Sequence, residues 1–122
     1  FIFDRQREHA PDDVMTIEHP LFTWDGSRLL GRLSKRQVHG GYALAGKAMD
    51  EQAAAALTAL ETIMTAPGMR KKFYFEPGQI QIVNNKTCGH SRTAFTDWPE
   101  PERHRNLTRL WLRHEGRVFY NG

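Results

Sequence analysis

Residues 79–95, QIQIVNNKTCGHSRTAF, and residues 105–113, RNLTRLWLR, decide how this chain is read. The first run begins with alternation. Side chains alternate along extended backbone, so Gln79 to Val83 predicts a strand with Ile80 and Ile82 on one face. Asn84-Asn85 ends or bends it. The second run alternates too. As a strand, it places Arg105, Leu107, Arg109, Trp111 and Arg113 on one face and Asn106, Thr108, Leu110 and Leu112 on the other. If Leu110 and Leu112 pack against a helix or a second layer, Arg105 and Arg109 point together the opposite way. In a cavity, a guanidinium stays protonated and offers a planar fork of donors, which a carboxylate matches in a bidentate pair. That reading predicts a bound anion. The other reading is an exposed strand face with solvated arginines, since charged edge strands are common. Both stay open on the pattern alone.

His90 follows the first run, beside Gly89 and between Cys88 and Arg92. Glycine lets backbone pass close to a bound ion. Cys88 and His90 have the form of half a zinc site, but structural zinc takes four ligands at recognisable spacing, and Cys88 is the chain's single cysteine. A lone histidine is more commonly a hydrogen-bonded structural residue than a ligand.

Upstream, the chain reads as scaffold. Phe1 to Phe3 has the character of a strand tail running into the charged patch Asp4 to Glu8, and 9–18 reads as a loop around Pro11, Asp12 and Asp13. Leu21 to Trp24 and Arg28 to Leu33 predict a β-hairpin turned by Asp25-Gly26. Val38 to Gly46 is glycine-rich. His39-Gly40-Gly41 reads as a plain turn, or as an anion-binding backbone nest lacking the lysine of a phosphate loop. Asp50 to Ala66 predicts a helix, capped by Asp50 and stopped by Pro67-Gly68. Ala53, Ala56, Leu57, Leu60, Ile63 and Met64 would form its apolar face, for packing across a sheet or for a partner. From Met69 the period changes to two, with strands expected at Lys72–Glu76 and Gln79–Val83. Short strands punctuated by turns suggest a β-sandwich or barrel.

Composition narrows the classes. The 122 residues fit one domain or part of a larger one, and 39% hydrophobic content is lean for a globular core. The net charge is +3, and basic residues are interleaved with acidic ones. That mixture argues against a nucleic-acid module, which gathers charge on one face. A lone cysteine points to a reducing, cytoplasmic setting. No apolar run is long enough for a membrane span.

The string Asn84-Asn85, then His90-Ser91-Arg92-Thr93 and Phe95, then Arg105, Leu107, Arg109 and Trp111, resembles the C-terminal signature of a known family. It is that of the TauD/TfdA family of Fe(II)/2-oxoglutarate-dependent dioxygenases, in its clavaminate synthase-like branch. Phe3-Asp4-Arg5, the hairpin and the helix before Pro67 are similar less specifically. The resemblance implies a mainly β fold with one prominent helix, the C-terminal part of a double-stranded β-helix or jelly roll. It implies iron held by two histidines and a carboxylate, with positions left for 2-oxoglutarate and dioxygen. His90 corresponds to the distal histidine ligand. Arg105 corresponds to the partner of the far carboxylate of 2-oxoglutarate, and Arg109 to a residue that reaches substrate or assists the same anion. Asn85 and Arg92 fall at supporting positions. The activity implied is hydroxylation of a small polar substrate, such as an amino acid derivative.

One part of the family pattern is missing. The first two iron ligands come as His-x-Asp or His-x-Glu. None of the six histidines, at 9, 19, 39, 90, 104 and 114, is followed two residues on by a carboxylate. The chain also opens on Phe1 without a methionine. The expectation is therefore that residues 1–122 are the C-terminal portion of a single dioxygenase domain, inactive alone, whose missing N-terminal part carries the ligand pair. Two other readings are a jelly-roll module without metal that binds a small anion or a protein, and a nucleic-acid binder using Arg103, Arg105, Arg109 and Trp111. The edges of an incomplete barrel would also favour pairing between copies.

Overall fold

The computed structural model describes residues 1–6 and 10–112. Its N-terminal half is built from two antiparallel strand pairs and two helices. β1 (Ile2–Asp4) pairs with β2 (Thr16–Glu18), with Phe3 opposite Ile17. Arg5 ties down the loop between them. Its N–H donates to the Met15 carbonyl at 2.9 Å, and its guanidinium reaches the Val14 carbonyl and the Asp13 carboxylate, each at 3.1 Å. β2 thus lies inside the segment read as a loop.

β3 (Phe22–Trp24) and β4 (Leu29–Gly31) form the expected hairpin, with Thr23 opposite Leu30. Asp25 builds its turn. One carboxylate oxygen accepts the N–H and hydroxyl of Ser27 and the N–H of Arg28, while Gly26 takes the positive φ of +98° that side chains resist.

α1 (Lys35–Leu44) replaces the turn expected at Val38–Gly46. Ser34 caps it, accepting the Gln37 N–H. Glycine inside a helix costs up to about 1 kcal/mol relative to alanine, which is why the run reads as a turn. Here the missing side chain serves packing. A Cβ at Gly41 would overlap the Ile2 carbonyl oxygen and stand 2.6 Å from the Phe3 carbonyl carbon. The helix can lie on β1 only because position 41 is bare. That close approach seals the core, where Phe3 is 2% and Val38 0% exposed, with Leu21 and Leu57 completing the cluster.

α2 (Glu51–Thr65) is the expected helix, and the Asp50 carboxylate accepts the Ala53 N–H at 2.8 Å. Only a narrow stripe of its apolar face is covered. Ala53, Leu57, Leu60 and Met64 are buried or half-buried, whereas Ala56 and Ile63 are exposed. No helix among the described residues is long and apolar enough to cross a membrane.

Beyond α2 the chain runs in irregular backbone, broken among the described residues by one 3-10 turn at Pro101–Arg103. The strands expected at Lys72–Glu76 and Gln79–Val83 are not formed, and neither is one over 105–112; Arg113 lies outside the described residues. A strand is stable only when a neighbour takes its backbone hydrogen bonds, and these runs have no such neighbour among the described residues. Ile80, Ile82, Leu110 and Leu112 are each at least 80% exposed. Short antiparallel strand pairs are present, a second helix stands beside the expected one in place of a turn, and the described residues form no rolled sheet.

Candidate functional site

The segment bearing the site is moored to the hairpin by one backbone bond, from the Gly31 N–H to the Lys86 carbonyl at 2.7 Å. Lys86 sits in a turn built by Asn84. The Asn84 side-chain oxygen accepts the Lys86 N–H at 3.0 Å, and its carbonyl accepts those of Thr87 and Cys88 at 3.1 and 3.0 Å. This local closure is what asparagine does best. Asn85, the neighbour singled out from sequence, is an exposed turn residue. The turn delivers the chain to His90, which is exposed.

From Arg92 onward, arginines and aromatic rings organise the backbone. The Arg92 guanidinium carbon lies 4.2 Å from the centre of the Phe95 ring, and that of Arg105 lies 5.4 Å from the same ring. Arg109 stacks separately on Trp111 at 4.2 Å, and Arg103 on Trp98 at 3.4 Å. A cation over a ring face is drawn to its negative quadrupole, so each stack restrains a long side chain. The Arg105 N–H donates to the Asp97 carboxylate at 2.8 Å, closing the proline-containing loop between them.

Two of the five residues taken from sequence, Arg92 and Arg105, therefore meet around one ring. Arg109 stands on its own ring, Asn85 belongs to the turn, and the described contacts do not join His90 to any of them. All five are exposed. No described Asp or Glu forms an ion pair with Arg92, Arg105 or Arg109. Among the described residues, no three His, Cys, Asp or Glu side chains gather where they could hold a metal ion. His90 is one imidazole, so these residues alone do not fit iron, whereas the forks fit a carboxylate. Sequence reasoning read Asn84 only as the end or bend of a strand and Phe95 only as a motif residue, and it missed Asp97. The available signals were an asparagine two residues before Lys86, an aromatic three after Arg92, and an aspartate across the Pro99–Pro101 loop from Arg105.

The chain matches the family model described as "Taurine catabolism dioxygenase TauD, TfdA family" over residues 2–111. It is 29% identical over 121 residues to FR-33289 synthase of Streptomyces rubellomurinus (strain ATCC 31215). That alignment covers 96% of this chain and 36% of the relative, so the chain spans little more than a third of the length of the curated protein it matches. No solved structure matches it.

Proposed function

Because this chain belongs to the TauD/TfdA family of dioxygenases, we propose that it is the C-terminal portion of an Fe(II)- and 2-oxoglutarate-dependent oxygenase. Its substrate would be a small polar molecule such as an amino acid derivative. The observation that carries this reading is the extent of the family match, which takes in His90, Arg105 and Arg109 together. In this reading His90 contributes one imidazole to an iron site whose remaining ligands lie elsewhere in the enzyme. Arg105 pairs with the far carboxylate of 2-oxoglutarate, and Arg109 assists that anion or reaches the substrate. Asn85 and Arg92 support the site from its edge.

The bound metal and 2-oxoglutarate supply the oxidising chemistry. This chain supplies charge and position. Arg105 and Arg109 offer forks without carboxylate partners among the described residues, and each has an aromatic ring beside it, Phe95 at 5.4 Å and Trp111 at 4.2 Å. The rest of the enzyme would cover Ile80, Ile82, Leu110 and Leu112 and complete the jelly roll. Exposed Cys88 suits a reducing, cytoplasmic setting.

The test is Arg105→Ala in the whole enzyme. It should weaken 2-oxoglutarate binding at least tenfold, roughly the consequence of losing a charged hydrogen-bonding partner, and leave the iron content intact. Unchanged affinity for 2-oxoglutarate rejects the assignment. A second reading is a jelly-roll module without metal that binds a small anion or a protein partner. It requires the whole protein to lack a His-x-Asp or His-x-Glu pair.

A further inference from the structure

We propose that Phe95 and Asp97 are positioning residues for Arg105, holding its guanidinium ready for the carboxylate it receives; this rests on the cosubstrate role given to Arg105 under Proposed function. A free arginine side chain samples many rotamers, and ordering it on binding weakens affinity. Two contacts restrict that freedom in advance. The Asp97 carboxylate accepts the Arg105 N–H at 2.8 Å and fixes the backbone from which the side chain departs. The Phe95 ring lies 5.4 Å from the guanidinium carbon and fixes the other end.

The loop between Asp97 and Arg105 is itself stiff. Pro99 and Pro101 restrict φ, and the 3-10 turn at Pro101–Arg103 is closed by bonds from the Arg103 N–H to the Glu100 carbonyl at 3.0 Å and from the His104 N–H to the Pro101 carbonyl at 3.1 Å. Arg103 lies over the Trp98 ring at 3.4 Å and pairs with Glu100 at 3.7 Å. These internal contacts engage Glu100 and Arg103, while Arg105 emerges from the loop without a carboxylate partner among the described residues. Arg92 lies against the same ring, its guanidinium carbon 4.2 Å from the centroid, and so brings a second positive charge to the Phe95 ring. Phe95 and Asp97 are both exposed and lie outside the hydrophobic core, so trimming them should leave the folded scaffold intact.

The experiment measures the 2-oxoglutarate dissociation constant by calorimetry in the whole enzyme, with kcat at saturating cosubstrate and the thermal midpoint alongside. Asp97→Ala should raise the dissociation constant about tenfold, the scale of one charge-assisted hydrogen bond, and Phe95→Leu about two- to fivefold, the scale of an exposed cation–ring contact. Asp97→Asn keeps an acceptor oxygen and Phe95→Tyr keeps the ring, so both should recover most of the affinity. kcat and the thermal midpoint should hold. In an Arg105→Ala background, Asp97→Ala should add nothing. Parent-like affinity in Asp97→Ala and Phe95→Leu, with Arg105→Ala weakened, overturns the proposal while leaving the cosubstrate assignment standing. So does an additive loss in the double variant, which would mark a general structural effect. Parent-like affinity in Arg105→Ala itself removes the assignment, and this proposal with it.

Discussion

Gly41 of α1 lies directly against the Ile2 carbonyl of β1, closer than any side chain would permit. The helix–strand contact that buries Phe3 and Val38 depends on it. Gly41→Ala should therefore destabilise the N-terminal half by about 1–3 kcal/mol, the usual range for overpacking. Gly40→Ala is the control. Its Cβ would meet the Asp4 side chain, at 3.0 Å from a carboxylate oxygen and 3.1 Å from Cβ, and no backbone atom closer than these, and better helix propensity of up to about 1 kcal/mol offsets the crowding. Denaturant midpoints of the two variants should separate clearly; equal midpoints would show that α1 does not rest on β1 at this point.

Leu57 and Ile63 occupy the same predicted face of α2 but different environments, 6% and 56% exposed. Leu57→Ala should cost about 2–5 kcal/mol because it opens the core. Ile63→Ala should stay within about 1 kcal/mol, as surface changes do. Chemical denaturation of the chain tests both, and a larger loss at position 63 would place the helix on the wrong stripe.

The Asp25 carboxyl is held well below its ordinary value near 3.8. The chief cause is the Ser27 N–H, followed by the Ser27 hydroxyl and the Arg28 N–H, with the Arg28 guanidinium adding less. A folded-state value below the unfolded one stabilises the hairpin fully above the unfolded value and ceases to do so as pH falls through the folded one. Amide exchange at Asp25, whose N–H bonds to the Arg28 carbonyl at 3.2 Å, should quicken relative to other amides on acidification below about pH 4. Asp25→Asn, which cannot titrate, should flatten that response. An identical pH profile in the variant would show that the turn does not depend on this charge.

Iron should not bind tightly to this chain alone. Affinity and geometry come from the assembled ligand set and the groups that orient it, and the described residues offer no cluster of three. Anaerobic titration of the isolated chain with ferrous iron should give no stoichiometric site. A sharp one-to-one endpoint abolished by His90→Ala would contradict this and would require ligands not visible in the His-x-Asp pattern.

Sequence alone determined the features that arise between near neighbours. Asp50 capping α2, Asp25-Gly26 turning the β3–β4 hairpin and Pro67 following the helix are local hydrogen-bonding and steric matters, complete within a few residues. The family was also legible, because Asn84 to Phe95 and Arg105 to Trp111 carry chemistry at fixed spacing. Tertiary structure alone decided the rest. Gly40-Gly41 reads as a turn until β1 is present for a bare helix face to meet. The apolar face of α2 reads as broad until the core claims only its Leu57 stripe. Asp97 and Phe95 read as loop and motif residues until the chain folds back and places both on Arg105. The alternating runs at 79–83 and 105–112 show the converse. Alternation specifies which side chains share a face, but a strand forms only when another takes its hydrogen bonds, and among the described residues none does.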